Sequence, residues 1–153
     1  MDALLFLHIT GAVLFVGNIV TAAFWKIRAD VGGDPAAMHG AAKNVMLADF
    51  AFTLPGIILV IATGNAMAVR AGMPLSEFNW LTLSLALFSL TGVIWAALLL
   101  PIQRSMIRHA ARSVEFGAAT AEYRRASLYW AIFGTVATLL PFVVLYLMVA
   151  KPI

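Results

Sequence analysis

The chain has no cysteine and little charge: of its 153 residues, 11% are Asp, Glu, Lys or Arg, where a soluble domain averages about a quarter. Without cysteine there are no disulfides, no thiolate metal sites and no thiol catalysis, and the compartment is left undefined by that route. Paired carboxylates, a nucleophile triad, a phosphate loop and a metal-hydrolase motif are all missing. No catalytic residue is therefore assigned. The net charge of +3 reflects where cations are placed rather than a basic surface, and no nucleic-acid partner is expected. Apolar residues dominate, at 63% with a mean hydropathy of +0.96. Lipid is the solvent that such a composition suits.

Four apolar stretches, residues 3–25, 50–69, 81–102 and 128–150, each approach the ~20 residues that cross ~30 Å of hydrocarbon. They lack the alternation of barrel strands, so the expected fold is all-α, an integral membrane four-helix bundle forming one domain over residues 1–153. The first stretch lacks a cationic leader and a small-residue cleavage signature, and it reads as a retained helix rather than a signal peptide. Lys26, Arg28, Lys43, Arg104, Arg108, Arg112, Arg124 and Arg125 fall in the first and third loops, against Arg70 and Lys151 elsewhere. This bias predicts that loops one and three face the cytoplasm, with both termini on the outer side, the periplasm for a bacterial inner membrane.

Within loop one, Asp34-Pro35 reads as an N-cap and first helical residue after a break at Val31-Gly32-Gly33. In loop three, residues 103–116 continue the third span as an amphipathic helix ended by Gly117, with Arg104, Arg108 and Arg112 on one face suited to anionic headgroups. Spans two and four share a Leu-Pro dipeptide, and Pro55 and Pro141 predict kinks that free carbonyls near residues 51 and 137.

In the first span, His8, Gly11, Phe15, Asn18, Ala22 and Trp25 recur three and four apart, gathering most of its polar and small side chains on one stripe that must face the bundle. His8 has two readings. It hydrogen-bonds to Ser or Thr on a facing helix, or it ligates heme or a soft metal through neutral imidazole. Met67 and Met148 lie at a similar depth from the outer ends of spans two and four. His with Met is an axial pair for heme, and His with thioethers suits Cu(I), although Met is also a common core filler. His39 and His109 lie in loops without ligand spacing.

At the cytoplasmic end, Asp49 opens span two with Thr53 and Gly56 on the same face, while Lys26 and Arg28 end span one and Gln103 and Arg104 end span three. An ion-pair cluster is the plain expectation, and a proton or ion path the rival. Thr91, Trp95, Thr135 and Thr138 read as bundle-facing groups, and Trp80, Tyr129 and Trp130 as interfacial anchors.

The segments Leu7-His8-Ile9-Thr10-Gly11-Ala12-Val13-Leu14-Phe15-Val16-Gly17-Asn18, Phe52-Thr53-Leu54-Pro55-Gly56 and Leu100-Pro101-Ile102-Gln103-Arg104 resemble a bacterial family of predicted integral membrane proteins of unknown function. That family looks like a distant relative of the CopD-like copper-resistance domain and the HemJ-like protoporphyrinogen oxidases, which share an early Leu-His motif. The resemblance implies a heme link for His8 alone. The late Lys that HemJ-like proteins use has no equivalent within a span here. The expected function is a small inner-membrane protein with a pocket around His8 binding heme b or a metal, for redox chemistry or as a subunit of a larger complex. The alternatives are a cofactor-free accessory subunit and a small copper or solute transporter. The lipid bilayer is the expected partner, with other membrane subunits or a homo-oligomer besides.

Overall fold

A backbone in hydrocarbon must satisfy its own hydrogen bonds, and this chain does so with four long helices. The computed structural model describes residues 3–153, among which α1 spans Ala3–Gly32, α2 Pro35–Arg70, α3 Trp80–Phe116 and α4 Ala121–Ala150. Each is long and apolar enough to cross a membrane. The helix starts follow side-chain chemistry: Asp34 accepts from the Ala36 N–H, Asn79 from those of Leu81 and Thr82, and Thr120 from that of Tyr123. Gly33 and Gly117 provide the positive φ, 76° and 84°, on which α1 and α3 stop. The break expected at residues 31–33 thus falls at its last residue, with Val31 and Gly32 still helical.

Loop 71–79 and the C-terminus share one end of the bundle, where the Trp80 N–H donates to Ile153 O (3.3 Å) and Lys151 Nζ lies 5.2 Å from the Trp80 ring centroid. The short connections at 33–34 and 117–120 close the distal end. With 36 and 37 residues, α2 and α3 are each about 55 Å long, well beyond ~30 Å of hydrocarbon. The surplus is a folded distal extension around Met38, Ala42, Val45, Met106, Ala110, Tyr123 and Ala126. The two cation-rich loops are mostly helix, as the N-cap at Asp34-Pro35 and the amphipathic continuation over residues 103–116 predict, with Arg104, Arg108 and Arg112 on the exposed side of α3.

Two π turns set the register of the inner helices, at Asp49–Thr53 in α2 and Trp95–Leu99 in α3, each followed by Leu-Pro. Leu54 N–H donates to Asp49 O and Leu100 N–H to Trp95 O, five residues back. Proline has no N–H for the ladder and crowds the carbonyl four residues earlier, and one widened turn relieves the conflict. In a regular α-helix every fourth residue drifts about 40° around the axis. Across these wider turns it does not, and Val45, Asp49, Thr53 and Ile57 on α2, with Thr91, Trp95, Leu99 and Gln103 on α3, are all buried. The kink expected at Pro141 takes a different form, because α4 stays helical through it and the second bulge precedes Pro101 instead.

α1 packs on α2 along the bundle, α2 on α3 through their distal parts and α3 on α4, and the seam between α1 and α4 is thin. The closest approach is α1 to α2. A Cβ on Gly11 would come within 3.0 Å of Gly56 O, and one on Gly56 within 2.8 Å of Gly11 O, so neither position has room for a side chain.

Candidate functional site

The two π turns face each other and bring Asp49 against α1 and α3. Asp49 is 5% exposed. Its Oδ1 accepts from Asn18 Nδ2 (3.1 Å) and Thr53 Oγ1 (2.9 Å), and its Oδ2 from Trp95 Nε1 (3.1 Å) and Gln103 Nε2 (2.7 Å). Asn18 Nδ2 also donates to Thr53 Oγ1 at 2.9 Å. A carboxylate offers about four lone-pair positions and no donor, so this set of four donors matches the ionised group. The Phe50 ring stands edge-on to Trp95 at 5.8 Å and shields the pair.

Beside the carboxylate is a cavity of about 240 Å³ reaching from Phe15 and Ala22 on α1 past Thr91 and Trp95 to Trp130, Gly134 and Thr138 on α4. Gln103 lines it, 1% exposed, and its Oε1 has no hydrogen-bond partner. The amide orientation is fixed, because only its nitrogen can donate to Asp49. An unpaired buried acceptor costs roughly 1–3 kcal/mol, so this oxygen marks a place for a donor that the chain itself does not supply. A second crevice, about 540 Å³, lies between α1 and α2 beside Asn18, Trp25, Gly40 and Asn44.

The ion-pair cluster expected of Asp49 with Lys26, Arg28 or Arg104 is not formed. Arg28 and Arg104 are exposed, and Lys26 lies about two helical turns beyond Asn18, a distance of roughly 12 Å. Lys26, 1% exposed, pairs instead with Asp30 and Ser127, and its ammonium stands 5.0 Å from the Trp130 ring centroid and 5.6 Å from that of Tyr123. Tyr123 Oη and Ser127 Oγ both donate to Asp30. Lys26 thereby takes the place on the inward stripe that the spacing had given to Trp25. That tryptophan is 67% exposed and stacked edge-on against Phe24.

His8 lies near the other end of the bundle. Its Nδ1 is 3.0 Å from Thr63 Oγ1, and Thr63 donates its own proton to Leu59 O, which leaves the imidazole nitrogen as the donor. The ring rests on Gly64, where a Cβ would come within 3.2 Å of Cε1. Met148 packs beside Phe15, Ile57, Phe88 and Val144, and Met67 is half-buried near the end of α2. Neither cavity is lined by His8, Met67 or Met148. Among the described residues no three His, Asp or Glu side chains are grouped to hold a metal ion. His39 and His109, placed in loops by the sequence reading, are within α2 and α3.

Fold and site together define an integral membrane four-helix protein with an acidic cavity inside the bundle. The chain belongs to the family described as predicted integral membrane protein (DUF2269), whose model matches residues 2–152. No curated protein and no solved structure matches it.

Proposed function

We propose that the protein is a membrane-embedded binding protein for a small ligand, with its site at the Asp49 cavity rather than at His8. The observation that carries this reading is Gln103 Oε1, a buried acceptor without a partner on the cavity wall. Buried polar groups are ordinarily paired, with protein, water or a ligand, so this oxygen is where a partner from outside the chain would sit. In this reading Asp49 sets the negative potential, Gln103 contacts the ligand, and Asn18, Thr53 and Trp95 hold the carboxylate in place. His8 joins α1 to α2 through Thr63. A heme or copper site at His8 would need ligands brought to it from beyond the contacts described above. The distal extension is assigned to the cytoplasmic side of an inner membrane, by the eight Lys and Arg residues that the sequence groups there.

The chain has no cysteine, so a single introduced thiol reports cleanly. Thr138→Cys, on the cavity wall, should react with the cationic reagent aminoethyl methanethiosulfonate about tenfold faster than with its anionic sulfonatoethyl counterpart, and Asp49→Asn should erase that preference. No reaction with either reagent, or an equal rate with both, would show that the cavity is not an accessible acidic site.

A further inference from the structure

The polar groups on the cavity wall whose bonding is fixed have spent their donors, one N–H of the Gln103 amide excepted. Thr91 and Thr135 donate to Leu87 O and Ala131 O one turn back, Thr53 and Trp95 Nε1 donate to Asp49, and so does Gln103 Nε2. Beside the second N–H of Gln103, what these groups still offer is acceptors: Gln103 Oε1 and the hydroxyl oxygens of Thr91 and Thr135. The Thr138 hydroxyl can turn either way. The field is negative, because Asp49 receives hydrogen bonds from neutral donors only. The Phe15 and Trp130 rings complete the lining; aromatic faces attract cations, and the Trp130 ring already meets the Lys26 ammonium at 5.0 Å. Acceptors, a negative charge and aromatic faces together select a cation that carries N–H groups.

The route into the cavity follows from the packing. Ile27, Ala131, Thr135 and Leu139 line the cavity yet are exposed on the outside of the bundle, and they flank the thin seam between α1 and α4. Ala131, Thr135 and Leu139 belong to the apolar part of α4, so this seam opens on lipid acyl chains. A ligand entering there has an apolar body.

We propose that the ligand is a lipophilic primary amine, bound as its ammonium between Asp49 and Gln103 after entering from the bilayer through the seam between α1 and α4. This rests on the Asp49 cavity being the ligand site. Free alkylamines and the headgroup of phosphatidylethanolamine both present such an ammonium.

The test uses full-length Thr138→Cys protein in phosphatidylcholine nanodiscs, with labelling by the methanethiosulfonate reagents as readout. Dodecylamine should slow labelling at least fivefold, whereas dodecyltrimethylammonium, which has the charge but no N–H, should slow it less than twofold. Gln103→Leu should remove the difference between the two amphiphiles. Phosphatidylethanolamine in the nanodisc that protects without added amine identifies the lipid headgroup as the source, and protection by dodecylamine alone identifies a free amine. Ala131→Trp, on the seam, should delay the onset of protection about tenfold. Equal protection by both amphiphiles, or none by dodecylamine and phosphatidylethanolamine, overturns the proposal, and an unchanged onset in Ala131→Trp overturns the route. Labelling that keeps its preference for the cationic reagent while dodecylamine has no effect leaves the cavity a site for some other ligand. Loss of that preference removes the site itself.

Discussion

At the scale of single residues, the bundle is organised by one carboxylate held by four neutral donors. Asp49→Asn puts an amide nitrogen where Oδ1 or Oδ2 had accepted, so that donor meets donor. The change should cost about 1–3 kcal/mol, the penalty for buried groups left unpaired, read as a lower midpoint of thermal unfolding in detergent. An unchanged midpoint would mean that these donors do not depend on the charge. Lys26→Met leaves Asp30 with Tyr123 and Ser127 but without its cation. Because Asp30 is partly open to solvent, at 24%, the expected loss is about 1–3 kcal/mol, below that of a fully buried pair. Much of this was legible beforehand: Asn18, Asp49 and Thr53 share inward faces by spacing, and Trp95 reads as bundle-facing. The partners were not. Charge alone suggested Lys26, Arg28 or Arg104, but Gln103 is inside and Arg104 outside because of the helix register, and that depends on a bulge which apolar periodicity does not reveal.

At the scale of elements, the decisive features are the two π turns before Leu54-Pro55 and Leu100-Pro101 and the glycine contact between α1 and α2. Sequence comparison paired Leu54-Pro55 with Leu140-Pro141, since both prolines lie within apolar spans, whereas the pairing in space is with Leu100-Pro101 at the edge of the third. A proline predicts that the ladder is interrupted and does not predict whether the helix bends or bulges. The glycines were more readable, since Gly11 lies on the stripe of α1 expected to face the bundle. Gly56→Val would drive side-chain atoms into Gly11 O and Phe15, and overpacking of this kind costs about 1–3 kcal/mol. Gly17→Val, where an added Cβ meets nothing within 4 Å, should leave the unfolding midpoint within a degree or two of wild type on the usual scale of surface substitutions. Equal effects from the two substitutions would contradict the close approach of α1 and α2.

At the scale of the whole molecule, the four spans and the all-α class follow from hydropathy, because few structures satisfy a backbone in lipid. The distal extension was legible in part: the helix start at Asp34-Pro35 and the amphipathic continuation over residues 103–116 follow from the sequence, whereas the packing of these helices around Met38, Ala42, Met106 and Tyr123 does not. The cation distribution predicts that cysteine at Gly72 reacts with an impermeant maleimide from outside intact cells and that cysteine at Gly117 does not. The reverse pattern would invert the bundle and place the extension outside. The account stands or falls on the cavity between the π turns, and an experimental density map of the protein in lipid nanodiscs, at a resolution that shows ordered water, tests it most directly. The predicted result is non-protein density within hydrogen-bonding distance of Gln103 Oε1, beside an Asp49 still held by Asn18, Thr53 and Trp95. A Gln103 Oε1 bonded to a protein donor, with α4 closed over the space, would contradict it.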